Sequence, residues 1–314
     1  MAGSKLTMRA FPAFLLSVFL LSLLGTELFG QRRIGNSSPL DTVGESPSQK
    51  LGWEILQKFR SLWQPSGYRY HFELKVMPRR EKSRYVKGVM IGMTNARGVA
   101  IRFDIDLEEE SADEEGKLLP ALRERYLLQN GLDAYAMRLL SADGTPPQLM
   151  SAAGLLEPIA GSDFTAFDLL APYIYWQRFV YEGRATQRSR PVHIFEMYPP
   201  DDDDGLKKSI SSVKLFIDNQ FNGMIKAEIY GSNRELEKTL SLSEFRKVDG
   251  HWIFGAVEMR NETTRNKTRF RVTDAAVGLK WDKSFFSPQS LMSDLSSQRI
   301  YPENTAFIEK IEAE

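Results

Sequence analysis

From residue 190 onward the chain is a succession of short runs in which apolar and polar residues alternate, each closed by a turn, and few folds accommodate that pattern. The runs are 192–198, 213–218, 224–230, 236–245, 252–260 and 267–273, and the turns include Asn222-Gly223, Gly231-Ser232-Asn233 and Asp249-Gly250. A period of two sends successive side chains to opposite faces of a strand, and turns this short join only antiparallel neighbours. The pattern predicts an antiparallel meander and excludes an alternating βαβ fold, for which helices are too few and too grouped.

The first half repeats the theme. Tyr68, Tyr70, Phe72, Leu74 and Val76 alternate with Arg69, His71, Glu73 and Lys75. Val99, Ile101, Phe103, Ile105 and Leu107 alternate with Arg102, Asp104 and Asp106, with 85–93 as a partner strand between the two runs. Each is the signature of a half-buried strand, apolar side inward and polar side outward. Weaker strands are expected at 125–129 and 134–140 around Asn130-Gly131. The acidic stretch 108–120 and the turn at 143–147 read as solvated loops. One long helix precedes the strands: Ile55, Leu56, Phe59, Leu62 and Trp63 fall on one face, Ser46-Pro47-Ser48-Gln49 offers an N-cap with a capping-box glutamine, and Pro65 with Gly67 stops it.

Composition narrows the function. Lys plus Arg and Asp plus Glu both number 41, so no basic field draws in nucleic acid. With no cysteine, disulfides, thiolate catalysis and the acylated cysteine of a bacterial lipoprotein are excluded. Residues 1–30 read as a signal peptide: Lys5 and Arg9 precede an apolar run at 11–24 that is shorter than the roughly 20 residues of a membrane span. Cutting after Gly30 leaves Leu28 where a small residue is preferred, so an uncleaved inner-membrane anchor is the alternative. Residues 31–48 have the composition of a flexible linker, and 49–314 of a single β-rich domain.

Catalytic signatures are missing: the sequence holds no G-x-S-x-G elbow, H-E-x-x-H, P-loop or G-x-G-x-x-G. His71, His193 and His251 lie far apart and do not have metal-ligand spacing, and 201–204 lacks the alternation of a calcium loop, so neither a metal nor another cofactor is expected. Asp163 and Asp168 bracket an aromatic-rich short helix. Two carboxylates can do acid–base work, but Thr165 and Asp168 have capping-box spacing and Asp163 stands where it favours a helix N-terminus. Tyr173, Tyr175, Trp176, Phe179 and Tyr181 then concentrate aromatic surface that either lines a cleft or fills the core.

The order of motifs from residue 161 resembles the outer-membrane-lipoprotein-sorting-protein branch of the LolA-like superfamily. The resemblance rests on Gly161-Ser162-Asp163-Phe164 with Asp168-Leu169, then Trp176 and Tyr181-Glu182-Gly183, then Phe216-Ile217-Asp218 with Phe221-Asn222. It continues through Lys238-Thr239-Leu240, Phe245-Arg246-Lys247-Val248-Asp249-Gly250-His251-Trp252, and Lys267-Thr268 with Phe285-Phe286-Ser287-Pro288. Gly161, Asp163, Asp168, Glu182, Gly183, Asp249 and Gly250 are its structural motif residues. The first half of the chain matches in its layout of helix then strands.

What the resemblance implies is an α+β, mainly β fold, an antiparallel open half-barrel with helices over its concave face, and no enzyme activity. It implies a periplasmic carrier that holds the acyl chains of a lipoprotein or other lipid in a hydrophobic cleft, with an inner-membrane transporter complex as a docking partner. The candidate cleft or lid residues are Phe164, Phe167, Leu169, Leu170, Tyr173 and Trp176 with Tyr70, Phe72 and Phe103 from the strands. A monomer is expected. The alternative reading is a non-catalytic interaction module of an envelope transport complex, solidly packed inside.

Overall fold

Strand follows strand through tight turns in the computed structural model. It describes residues 47–62, 67–107, 122–131, 133–140, 145–220, 222–293 and 295, with two-residue pairings at Ser38–Pro39, Ser111–Ala112, Leu118–Leu119 and Glu309–Lys310. The expected signal peptide, the linker up to residue 46, Trp63 and most of 108–120 lie outside the described residues.

The first six strands are β1 (Gly67–Met77), β2 (Arg84–Asn95), β3 (Gly98–Asp106), β4 (Arg123–Gln129), β5 (Tyr135–Leu140) and β6 (Gln148–Leu149). The second series is β7 (Phe179–Gln187), β8 (Arg190–Met197), β9 (Ile210–Asp218), β10 (Met224–Gly231), β11 (Leu236–Val248), β12 (His251–Asn261) and β13 (Lys267–Leu279). All join one antiparallel sheet in the order β7-β8-β9-β10-β11-β12-β13-β1-β2-β3-β4-β5-β6, with Ser38–Pro39 on β7 and Glu309–Lys310 on β13. The sheet does not close on itself; it is the expected open half-barrel. Each series is a meander, and the seam between them pairs β13 with β1, Phe270 opposite Leu74 and Val272 opposite Phe72.

Helices α1 (Gln49–Leu62), α2 (Ala152–Leu155), α3 (Ala166–Leu170) and α4 (Asp204–Lys207) accompany the sheet. The inward row predicted for β1 holds: Tyr68, Tyr70, Phe72, Leu74 and Val76 are buried. Leu56 and Phe59 of α1 join the same core.

Several expectations need correcting. The helix begins two residues late: Ser48 Oγ accepts from Leu51 N at 3.3 Å, so Ser48 rather than Ser46 caps α1. Gln49 does not close a capping box. Its side-chain amide pairs with the backbone of Tyr181, donating to the carbonyl and accepting from the N–H, each at 2.8 Å. This extends the edge of β7 through a side chain, and the close seat of Gly52 on Tyr181 leaves no room for a Cβ, which would lie 2.4 Å from that of Tyr181.

Strand β7 itself has no counterpart among the predicted strands. Its even-spaced row passes from Tyr181 to Gly183 and Ala185, residues too small to mark an apolar face, and a bulge falls between Tyr181 and Gly183. Glu182 at this bulge reaches Lys214 at 2.9 Å. The turn after β7 is carried by Arg188 and Ser189, both at positive φ, without a glycine to announce it.

The polar side of β3 is not a solvent face. Arg102 and Asp104 are buried, because the segment 283–295 crosses over them as two 3₁₀ turns, Lys283–Phe286 and Pro288–Met292. Arg102 pairs with Asp104 at 3.3 Å and donates to the Ser293 carbonyl; Arg125 donates to the Leu291 carbonyl at 2.9 Å; the Leu295 N–H donates to Asp104 at 3.0 Å. Polar residues on a strand are mates for loop carbonyls as readily as for water. In the solvent-facing stretch 201–204, Asp203 caps α4 by accepting from Leu206 N at 2.9 Å.

Arg102→Ala strips the buried Asp104 of its closest charge partner and is expected to lower unfolding free energy by about 3–5 kcal/mol, measured by urea titration; Arg123→Ala, at the half-exposed pair with Asp106, is expected to cost less than about 1 kcal/mol.

Candidate functional site

Strands β6 and β7 lie at opposite ends of the sheet, and residues 150–178 join them. This crossing segment carries α2, α3 and two 3₁₀ turns, Ile159–Gly161 and Pro172–Ile174, and it buries Ile159, Phe164, Phe167, Leu170, Tyr173 and Trp176 in the core of the concave face.

Local chemistry shapes the crossing. Ala160 and Gly161 have φ of +48° and +60°, turning the chain sharply so that Ile159 N donates to Phe164 O at 2.8 Å. A Cβ on Gly161 would lie 2.6 Å from the Arg84 guanidinium, which bonds the Ala160 carbonyl. The predicted capping box is present: Thr165 Oγ1 accepts from Asp168 N at 3.3 Å and Asp168 Oδ2 accepts from Thr165 N at 2.8 Å. Ala171 at φ +46° ends α3. Asp163 does not serve a helix terminus. Its carboxylate accepts from the Thr268 hydroxyl of β13 at 2.8 Å, and that hydroxyl accepts from Asp163 N at 2.9 Å.

Lys238 of β11 completes the attachment, donating to Asp168 Oδ2 at 3.1 Å and to the Asp163 carbonyl at 3.0 Å. At the far end Arg60 of α1 holds the carbonyls of Ile174 and Trp176 at 2.7 and 2.8 Å. The crossing is thus fixed to the scaffold by charged or hydroxylic side chains at both ends and by apolar packing between them. Arg84 and Arg60 went unnoticed in the sequence, and Lys238 and Thr268 entered only as residues of the family resemblance, because each occupies an ordinary polar position of its strand or helix.

Beneath the crossing the sheet presents paired rings. Phe72 stacks on Phe270 with centroids 4.6 Å apart, Phe103 stacks on Tyr126 at 4.6 Å, and Phe164 meets Phe270 edge-on at 6.3 Å. Between lid and sheet remains a gap of about 10 Å³ lined by apolar side chains alone: Phe72, Leu74, Met90, Phe103 and Ile105 below, Ile159, Phe164 and Leu169 above, and Phe270 at the side. That is the space of one water molecule, with nothing polar to hold it. Of the sequence-derived candidates, Phe72, Phe103, Phe164 and Leu169 meet at this gap. Phe167, Tyr173 and Trp176 form their own cluster, with centroids 5.6–6.3 Å apart, and Leu170 is buried in the same core. Tyr70 lies off the gap, edge-on to Phe254 at 5.7 Å. Leu74 and Ile105 extend the same strand rows, whereas Ile159 carried no periodic signal.

Neither aspartate has a histidine among its hydrogen-bond partners. His71 and His251 are exposed, and His193 is buried against Tyr181, whose hydroxyl lies 2.8 Å from Nδ1. Among the described residues no helix is long and apolar enough to cross a membrane.

The same fold occurs in solved structures. A putative outer membrane lipoprotein-sorting protein domain from Vibrio parahaemolyticus superposes with a TM-score of 0.64 at 17% identity, covering 78% of this chain and 100% of its own. The fold is LolA-like. A DUF1329 family protein from Desulfovibrio piger gives 0.63 at 13% identity over 77% of this chain and 98% of its own. A LolA superfamily protein from Nitrosomonas europaea gives 0.52 at 12%, over 76% and 98%. A model of a family described as "uncharacterized protein" matches residues 145–293, which contain the crossing and the whole second strand series. No curated protein matches the sequence. In this LolA-like chain Asp249 and Gly250, at φ +46° and +79°, form the two-residue turn between β11 and β12, and Gly183 at +97° follows the β7 bulge.

Burial raises the Asp163 carboxyl above its ordinary value of 3.8, outweighing the Thr268 hydrogen bond and the charge of Lys238. The folded state therefore binds this proton more tightly than the unfolded chain, and the stability Asp163 contributes falls as pH rises from 3.8 through its folded value. Burial raises Asp104 in the same direction, so urea midpoints taken in small pH steps over that window are expected to fall less steeply in Asp163→Asn than in the parent, the difference being the Asp163 contribution. Asp168→Ala removes the side-chain half of the capping box, leaving Thr165 N and Lys238 without their carboxylate; a loss of about 1–3 kcal/mol is expected by the same titration.

Proposed function

We propose that this protein carries acyl chains of a lipid or lipoprotein between its concave sheet and the crossing segment 150–178, in the periplasm of a bacterium, without catalysing a reaction. The observation that carries the reading is the division of labour in the crossing. Its polar side chains are spent on fixing its ends, and its inner surface meets the sheet through apolar groups that enclose an apolar gap. The chain must cross this face to join β6 to β7, and a crossing attached by polar groups at its ends, with only apolar contacts beneath, is one that can lift and reseat.

Ligand pockets are about 300–1,000 Å³, far above the gap of about 10 Å³, so loading requires the cover to lift. Each methylene that then leaves water contributes about 0.8 kcal/mol, and lifting gives up apolar contacts of the same kind, so the two offset. The net cost of opening falls on the latch of Asp163, Asp168, Lys238 and Thr268, which is partly accessible to solvent through Lys238. The lipoprotein-sorting protein domain from Vibrio parahaemolyticus supports this use of the shared fold.

A filled interior also favours a second reading, an interaction module of an envelope transport complex that binds partners on its outside. Native mass spectrometry with lipid extraction, on protein recovered from the envelope of cells expressing it, separates the two. Co-purifying acyl lipid or lipoprotein is the expected result; a folded, lipid-free protein that also fails to take up an acylated fluorescent probe would sink the carrier reading. Lys238→Met is expected to speed probe uptake several-fold by stopped flow while leaving the fold intact, and Leu169→Trp, which fills the gap, is expected to lower probe affinity about tenfold.

A further inference from the structure

The sheet divides where β11 and β12 project beyond their neighbours. Pairing of β10 with β11 ends at Lys226 opposite Ser241, and pairing of β12 with β13 spans only Ala256–Arg260. From Leu242 to Val257 the two strands continue together, Phe245 opposite Phe254 and Lys247 opposite Trp252, to the turn at Asp249-Gly250. Among the described residues no further strand pairs with 243–255 of this ribbon. Val248 and Ile253 on one face are buried and seat it. The other face carries Trp252 and Phe245, which are 65% and 41% exposed.

That face continues the interior. Phe254 shares it with Phe245 and Trp252 by register, and its ring meets Tyr70 at 5.7 Å and Phe270 at 5.8 Å, the latter a wall of the apolar gap. A row of aromatic rings thus runs from the gap out to the ribbon tip.

At the ribbon's base the parting strands leave a wedge of about 170 Å³ with an apolar floor of Ile225, Leu242 and Phe245 and the cations Arg188, Arg190 and Lys226. Asp218 pairs with Arg190 at 3.1 Å and Glu228 pairs with Lys226. The carboxylate that lines the wedge, Glu244, is bridged to Arg246 and lies 3.6 Å from Arg269. With Lys247 beside Trp252, basic groups outnumber acidic ones here although the chain as a whole is neutral. Exposed tryptophan next to lysine and arginine is the chemistry of a bilayer interface, where the ring sits at headgroup depth and the cations meet phosphate.

We propose that the β11–β12 tip and the wedge at its base rest on the phosphate-bearing surface of a phospholipid bilayer, which puts the aromatic row in line for an acyl chain. The inference builds on the carrier reading. It is tested by co-sedimentation of the exported protein with vesicles of phosphatidylcholine and of phosphatidylglycerol. Phe245→Ser with Trp252→Ser, and separately Arg188→Glu with Lys247→Glu, are expected to weaken binding to phosphatidylglycerol about tenfold, with circular dichroism unchanged, since Trp252, Arg188 and Lys247 are exposed and Phe245 at the wedge floor is partly so. Vesicles with brominated acyl chains are expected to quench tryptophan emission in the parent and less in Trp252→Phe, a readout independent of the apolar run at 11–24.

Equal binding by parent and variants together with equal quenching would overturn the contact, and release by excess inorganic phosphate would assign the cations to a soluble anion instead. A soluble acylated probe, followed in the same samples, keeps the two readings apart. Probe binding retained in tip variants that lose vesicle binding supports both, whereas a parent that binds vesicles through the tip and takes up no probe sinks the carrier reading alone.

Discussion

The position of two edge strands governs this molecule. Because β6 ends the first series at one margin of the sheet and β7 begins the second at the other, the chain has to traverse the concave face between them. The cover over that face is therefore a topological necessity. Its inner surface must be apolar to lie on a sheet whose inward rows are Tyr70, Phe72, Phe103 and Phe270, and its ends must bond to the scaffold because a crossing of nearly thirty residues has no ladder partners of its own. Asp163 and Asp168 with Lys238 and Thr268, and Arg60 on two carbonyls, answer that second demand.

A cover held this way differs from a core helix. Apolar contacts between it and the sheet are exchangeable for contacts with any other hydrocarbon at small net change, whereas the polar attachments are directional and lost on separation. On the carrier reading proposed above, the arrangement sets a threshold for opening without making the interior unwelcoming to a chain of methylenes. It also explains why two carboxylates, a lysine and a threonine gather at one point: they fix the position of a segment.

The repeating part of the fold was legible in the sequence. The alternation in β1 and in the strands from β8 onward, the turns at Asn222-Gly223 and Asp249-Gly250, and the Thr165–Asp168 box follow from period and local hydrogen bonding alone. Strand β7 was illegible because its row thins to Gly183 and Ala185 and its turn uses Arg188 and Ser189. The burial of Arg102 and Asp104 was illegible for a different reason: it depends on where a segment roughly 190 positions later comes to lie. In the candidate site, local pattern pointed to Phe72, Phe103, Phe164 and Leu169, but the latch joins the crossing to β11 and β13 through Lys238 and Thr268, whose role no local pattern marks.

The seam of the half-barrel has a temporal side. Strand β13 pairs with β1 across roughly 200 intervening residues, and closing so long a loop is slow. A chain that emerges from its N-terminus presents β1–β6 with an unpaired hydrogen-bonding margin, and an uncovered apolar face, until nearly its last strand has been made. For that interval the most exposed line of the nascent protein is the inner edge of β1, the same line that in the finished molecule lies at the middle of the sheet.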